Sequence, residues 1–276
     1  MARKLTLAAA ALLCAGSVFA EPIRVVAWNI EWFPGRRHDA TPEQAAAHMK
    51  QAQDALAEIN PDILILTEMR DKAAVRELLS ALPGFSVNAI TTGGRPQQIA
   101  IASRFPAVRA WEGDWMRPFA GPPRGYAFAE LKLPGDKRLM VYGVHLKSNR
   151  GTGVINRSMR EASALELLAE SAIAKRLWGK PGTAVLFAGD FNTNVDDSKF
   201  ESEGTIRAIC ASGFWWPFEP LKPAKRVTWH GDDYPPIQFD HFFTWNAGRP
   251  RAKVLAYDDV SDHHPIEITV ATDQVR

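Results

Sequence analysis

The chain has 276 residues, 46% hydrophobic and 23% charged, which excludes a disordered protein and suits one large domain with a substantial core. Its 33 Lys and Arg face 31 Asp and Glu; setting aside Arg3 and Lys4 of the first twenty residues leaves 31 of each. No global basicity therefore draws it to nucleic acid, and any such attraction must come from a local patch.

Residues 1–20, MARKLTLAAAALLCAGSVFA, read as a secretory signal: a basic start at Arg3 and Lys4, an apolar run from Leu5 to Cys14, and small residues before Ala20. This predicts export to the periplasm or medium, with a domain over 21–276. No later segment approaches the ~18 unbroken apolar residues of a membrane span, so no anchor is expected. Of the two cysteines only Cys210 lies beyond the signal, which excludes an intrachain disulfide and a Cys-based zinc site.

In chain order, IRVVAWNIEW (23–32) predicts a buried strand with Asn29 and Glu31 near its C-terminal end. Thr41 caps a helix that has Pro42 in its first turn and stops at Asn60-Pro61. DILILTEM (62–69) is a strand with Glu68 at its end, and 71–82 a short helix. IAIASRFP (99–106) and YAFAELKL (126–133) are strands joined by a Trp-, Gly- and Pro-rich stretch. RLMVYGVHLKS (138–148) leads to His145, a loop follows, and a long helix runs from about Arg157 to Trp178. TAVLFAGDFN (183–192) stops at Gly189-Asp190, IQFDHFFTW (237–245) carries Asp240, and HPIEITVA (264–271) follows Ser261-Asp262-His263. Mixed strands and helices with hairpin-like pairs in the middle suggest two mixed sheets packed together with helices outside.

Asn29, Glu68, His145, Asp190, Asn192, Asp240, Asp262 and His263 nearly all fall at strand ends, where groups from several strands can line one pocket. Singly, each has an ordinary structural explanation: a turn cap, a helix N-terminal acid, a hydrogen-bonded core histidine, an Asx turn in GDFN. The combination is what points to a site. Asp and Asn dominate it, which argues against a tetrahedral zinc centre.

The ordered stretches WNIEW, ILTEM, IAIASRFP, GVHLKS, AGDFN, QFDHFF and SDHHP resemble the endonuclease/exonuclease/phosphatase superfamily, the group of DNase I, exonuclease III, AP endonucleases, bacterial sphingomyelinases and inositol polyphosphate 5-phosphatases. They span 23–271. The resemblance implies a four-layered α/β sandwich, two mixed sheets flanked by helices, and metal-dependent phosphoester hydrolysis. Mg²⁺ or Mn²⁺ is expected on the hard oxygens of Glu68, Asp262 and Asn29. By the same resemblance Asp190 activates water, Asn192 holds a phosphate oxygen, and His263, oriented by Asp240, contacts the phosphate. His145 stabilises the phosphate or protonates the leaving oxygen. His264 has no role.

Arg124, Lys147 and Arg150 flank these motifs and are expected to bind substrate phosphates, with solvated loop charge as the alternative for each. Loop tryptophans at 111, 115, 215, 216 and 229 suit base stacking, lipid contact or core filling. The expectation is a monomeric exported nuclease with nucleic acid as substrate. The alternatives are a phospholipid or small-phosphoester hydrolase of sphingomyelinase type and, last, a non-catalytic binding module.

Overall fold

The computed structural model describes residues 22–93, 97–115, 124–231 and 234–275. Residues 1–20, expected to be a signal, and 116–123 of the stretch expected to join two strands lie outside the described residues. Among the described residues no helix is long and apolar enough to cross a membrane.

The strand β1 (Ile23–Phe33) pairs in parallel with β2 (Ile63–Met69). Both read as nearly continuous apolar runs because both faces are buried. The pleat sends Val25, Ala27, Ile63 and Ile65 into one core and Val26, Trp28, Leu64 and Leu66 into another. Around them β3 (Ser86–Ile90), β4 (Gln98–Ser103), β10 (Lys253–Val254) and β11 (Ile266–Val270) complete a six-stranded sheet ordered β10-β11-β1-β2-β4-β3. The second sheet orders β5 (Ala107–Gly113), β6 (Tyr126–Lys132), β7 (Arg138–His145), β8 (Thr183–Asp190) and β9 (Asp240–Trp245) consecutively.

Helix α1 (Pro42–Ile59) starts where the sequence predicts. Thr41 Oγ1 accepts from the Gln44 N–H at 3.3 Å, the Gln44 side chain accepts from the Thr41 N–H at 3.0 Å, and Asn60 ends the helix at φ 47°. With α2 (Lys72–Leu79) it covers the outer face of the first sheet through Met49, Ala52, Leu56, Val75 and Leu78. On the other side α3 (Gly153–Trp178) and α4 (Thr205–Ala211) cover the second sheet through Ala164, Leu167, Ala174, Ile206 and Ile209. The result is helix, sheet, sheet, helix. Gly143 lets the sheets approach: a Cβ there would sit 3.0 Å from Cγ2 of Ile65 and of Ile99.

The differences from expectation have physical reasons. β3 and β5 are edge strands, half-solvated and so weakly apolar in sequence. Helix α3 begins at Gly153, inside the stretch expected to be loop, and α4 and β10 are short elements with faint patterns. Asp240 opens β9 instead of sitting inside a longer strand.

Candidate active site

Strand register assembles half of the site. In β7 and β8, which are parallel, His145 faces Asp190; in β8 and β9, which are antiparallel, Asp190 faces Asp240. The three therefore stand side by side at one end of the second sheet. Gly189, immediately before Asp190, has φ +132°, and a Cβ there would lie 2.1 Å from the Val144 carbonyl oxygen. Only glycine meets both conditions, and its presence pulls Asp190 tight against β7. Beyond it the Asn192 N–H donates to Asp190 Oδ1 at 2.8 Å, and the Asn192 side-chain amide donates to the Leu146 carbonyl at 3.3 Å.

The first sheet delivers the other half, organised by Ser261. Its hydroxyl donates to the Asn29 carbonyl at 2.8 Å and accepts from the Glu31 and His263 backbone N–H groups, each at 3.1 Å. One oxygen thus ties the segment before β11 to the end of β1. The Trp28 indole N–H donates to the His263 carbonyl at 2.8 Å. His48 of α1 reaches the same segment. Its Nε2 bonds the Val260 carbonyl at 2.7 Å and its Nδ1 accepts from the Gly35 N–H at 2.8 Å. Glu68, with φ 64° at the end of β2, accepts from the Trp32 N–H at 3.0 Å.

The halves meet at buried side chains. Asn29 Nδ2 donates across the sheets to Asp190 Oδ2 at 3.0 Å and lies 3.4 Å from Glu68 Oε1. His145 Nε2 lies 3.4 Å from Asp190 Oδ2 and 3.9 Å from Glu68 Oε1. His263 Nδ1 bonds Asp240 Oδ2 at 2.7 Å, which also accepts from the Thr228 hydroxyl at 2.7 Å. His263 Nε2 faces Asp190 Oδ2 at 3.9 Å. On the rim, Asp262 Oδ2 accepts from the Trp229 indole N–H at 2.8 Å.

Burial and charge separate these groups by protonation state. Burial pushes the Asp190 carboxyl up to about 7, against the opposing pull of His263. His263 is also penalised by burial, but the charge and hydrogen bond of Asp240, then Asp190 and Asp262, outweigh it and raise the imidazole to about 10. His145 falls well below its ordinary value, through burial first and then the nearby positive charges of Arg124 and His263. At neutral pH the site therefore holds one imidazolium, one neutral imidazole and a carboxyl poised to gain or lose a proton.

Every residue expected at the site's centre is brought together there: Asn29, Glu68, His145, Asp190, Asn192, Asp240 and His263, with Asp262 beside them. The flanking cations differ. Arg124 donates to the His145 and Leu146 carbonyls at 3.3 and 3.1 Å and to Gln97 at 2.7 Å, so it braces the loop after β7. Lys147 Nζ bonds the Ser148 and Arg150 carbonyls at 3.0 and 2.8 Å, while the Arg150 side chain is exposed. His264 turns away, with Nδ1 accepting from the Tyr257 N–H and Nε2 3.3 Å from Asp258.

Ser261, Thr228, Trp229 and Glu31 are parts of the site that motif reading passed over. Glu31 had a usable signal: it lies two residues after Asn29 in one strand, a spacing that places both on one face. Burial, then Asp262 and Glu68, raise its carboxyl, with Arg36 Nε opposing at 2.9 Å.

These groups fit a hard divalent cation. Among the described residues Asn29 Oδ1 is buried with no hydrogen-bond partner, an oxygen donor left over beside Glu68, and the nearby carboxylates of Glu68 and Asp262 raise that of Glu31 against the pull of Arg36. Among the described residues Asp190, Asp240 and His263 also have ligand atoms all within 4.8 Å of one another. The 2.7 Å His263–Asp240 hydrogen bond already uses one atom of each.

Comparison with solved structures finds the same fold repeatedly. SmcL superimposes with a TM-score of 0.66 at 17% identity, over 90% of this chain and 99% of that one. A truncated Caenorhabditis elegans TDP2 gives 0.67 at 18% identity, over 91% and 98%. A Staphylococcus aureus beta toxin gives 0.64 at 17% identity, over 89% and 99%. No curated protein sequence matches the chain. The model of the Endonuclease/Exonuclease/phosphatase family matches residues 26–263, across both sheets and every motif from Asn29 to His263, and the chain belongs to that family.

Proposed function

We propose that this chain is an exported, divalent-metal-dependent endonuclease that hydrolyses DNA phosphodiester bonds. The observation that carries the reading is Asp190, a buried carboxyl raised to about 7, set 3.4 Å from a neutral histidine and 3.9 Å from a charged one. A base for water and cationic and neutral N–H donors for phosphate oxygens are what phosphoester hydrolysis needs at one point. A Mg²⁺ or Mn²⁺ held by Asn29, Glu68 and Asp262 would supply positive charge against the phosphate oxygens.

In this scheme Asp190 takes a proton from the attacking water, and its orientation is held by the Asn192 N–H. The Asn192 side chain and the His263 imidazolium bind phosphate oxygens, and Asp240 keeps His263 charged and aimed. His145, neutral, donates a hydrogen bond through Nε2 to the phosphate or to the oxygen released when the phosphorus–oxygen bond breaks, and that oxygen takes its proton from solvent. Arg150 and Lys147, in the loop after β7, add local positive charge for a polyanion despite the balanced net charge. The signal-like residues 1–20 support export.

A lipid phosphodiester is the second reading. Val154 and Ile155, at the start of α3 beside that loop, are 64% and 51% exposed, which suits contact with an apolar surface. The test is nicking of supercoiled plasmid by the purified protein with Mg²⁺ at low salt, beside the His145→Ala variant. Open-circle product from the unmodified protein alone is the expected result. A folded protein that leaves plasmid intact but hydrolyses sphingomyelin vesicles would overturn the nuclease in favour of the second reading.

A further inference from the structure

Between α3 and the site lies a buried ion pair that no step above uses. Arg160 on α3 and Glu203, just before α4, have side chains only 2% exposed. Arg160 Nε donates to Glu203 Oε1 at 2.8 Å and Nη2 donates to Oε2 at 2.5 Å, while the Thr205 hydroxyl donates to Oε1 at 2.8 Å. The remaining guanidinium nitrogen turns toward the site. Arg160 Nη1 donates to the Lys147 carbonyl at 2.9 Å and to Asn149 Oδ1 at 3.2 Å. The Asn149 amide in turn donates to the Asn192 carbonyl at 3.0 Å. Asn192 is the residue whose N–H holds Asp190 Oδ1.

We infer that Arg160 is a positioning residue: locked by Glu203, it braces the loop after β7 against the loop after β8 and so sets the orientation of the Asp190 carboxylate. The inference rests on the proposed hydrolytic role of Asp190. Two properties support it. A buried ion pair adds little stability over an apolar pair of the same volume, so stability alone does not account for it. The planar fork of arginine can hold a carboxylate with one edge and present a third nitrogen elsewhere, which lysine cannot do.

The test compares the Arg160→Met/Glu203→Leu double variant, which leaves no lone buried charge, with the unmodified protein. Arg157→Met serves as the control, since that arginine on the same helix bonds Ser202 at the surface. The double variant should keep its melting temperature, lose about tenfold or more in kcat, and change KM by less than about threefold. Amide exchange at Asn192 should speed up by about tenfold, while Met140 and Val141 within β7 stay protected. If the double variant does not fold, Asn149→Ala, which keeps the ion pair and cuts the strut, carries the same expectations. A folded variant with kcat and Asn192 exchange both within about twofold of the unmodified protein overturns the inference. A kcat loss that only follows the unfolded fraction, with Asn192 exchange unchanged, also overturns it. If the unmodified protein cleaves no phosphodiester offered, the functional reading fails, and the exchange comparison still decides whether Arg160 positions these loops.

Discussion

Replacing Asp240 by Asn keeps the shape of the group that faces His263 and removes its charge. His263 is raised from 6.5 to about 10 although burial works against it, and Asp240 is the largest favourable contributor, through both charge and the 2.7 Å hydrogen bond. That rise corresponds to ~5 kcal/mol of preference for the imidazolium. Asp190 and Asp262 supply the rest, so Asp240→Asn should remove more than half of it, ~3 kcal/mol, and bring the His263 titration down to about 8 or lower. The assay is the pH titration of the His263 ring carbon signals by NMR in the folded variant, which needs no substrate. Stability should follow. Because the folded value lies above the unfolded one, the benefit is complete below 6.5 and vanishes as pH rises toward 10. The unmodified protein should therefore outlast the variant most clearly near pH 6 and lose that margin as pH approaches 10. Turnover at neutral pH should fall by about a hundredfold, as a charged phosphate contact becomes neutral. If His263 titrates within about half a unit of the unmodified protein, Asp240 does not set its charge and the proposed division of roles is wrong.

His145→Ala and Asp190→Ala should each reduce plasmid nicking by orders of magnitude with the circular dichroism spectrum unchanged, and near-normal nicking by either would remove its assigned role. EDTA should abolish nicking and Mg²⁺ or Mn²⁺ restore it; independently, Mg²⁺ at about a hundred times its Kd should stabilise the fold by ~2.7 kcal/mol in thermal melts, and a melt insensitive to Mg²⁺ and Mn²⁺ would count against the site. Burial lowers His48 from 6.5 to about 4, the carbonyl of Val260 only partly offsetting it. Its folded value lies below the unfolded one, so the stability tied to neutral His48 is present above 6.5 and is lost as pH falls toward 4, up to ~3 kcal/mol. His48→Gln should flatten that part of the stability–pH curve, and an equally steep acid decline in the variant would refute the assignment.

Much of the site was legible because strand ends carry it. A run such as TAVLFAGD is buried on both faces, so the first charged residue that interrupts it marks the edge of the core, and there Asp190 stands. Chain order then supplied the partners, since seven short motifs in sequence point to one superfamily. What the sequence does not display is hydrogen bonding between segments distant in the chain. Ser261 organises the first-sheet half through backbone groups of Asn29, Glu31 and His263, and backbone donors and acceptors leave no mark on residue identity. Arg124, a candidate phosphate ligand in PRGYAF, has a guanidinium that also holds two main-chain carbonyls, a bracing contact no motif displays. The fold was recoverable where elements are central or capped, as in α1 with Thr41 and Asn60, and lost at the edges, where β3 and β5 are half wetted.

Asn29 reaches from one sheet to Asp190 on the other, and neither sheet alone holds a full set of groups. Hydrolytic power is therefore a property of the docked pair. A chain that has formed only one sheet holds either the Asn29, Glu68 and His263 half or the His145, Asp190 and Asp240 half, and not the assembled set. For a hydrolase exported as proposed above, that dependence would act as a built-in delay, leaving the producing cell's own phosphodiesters untouched until the two sheets dock.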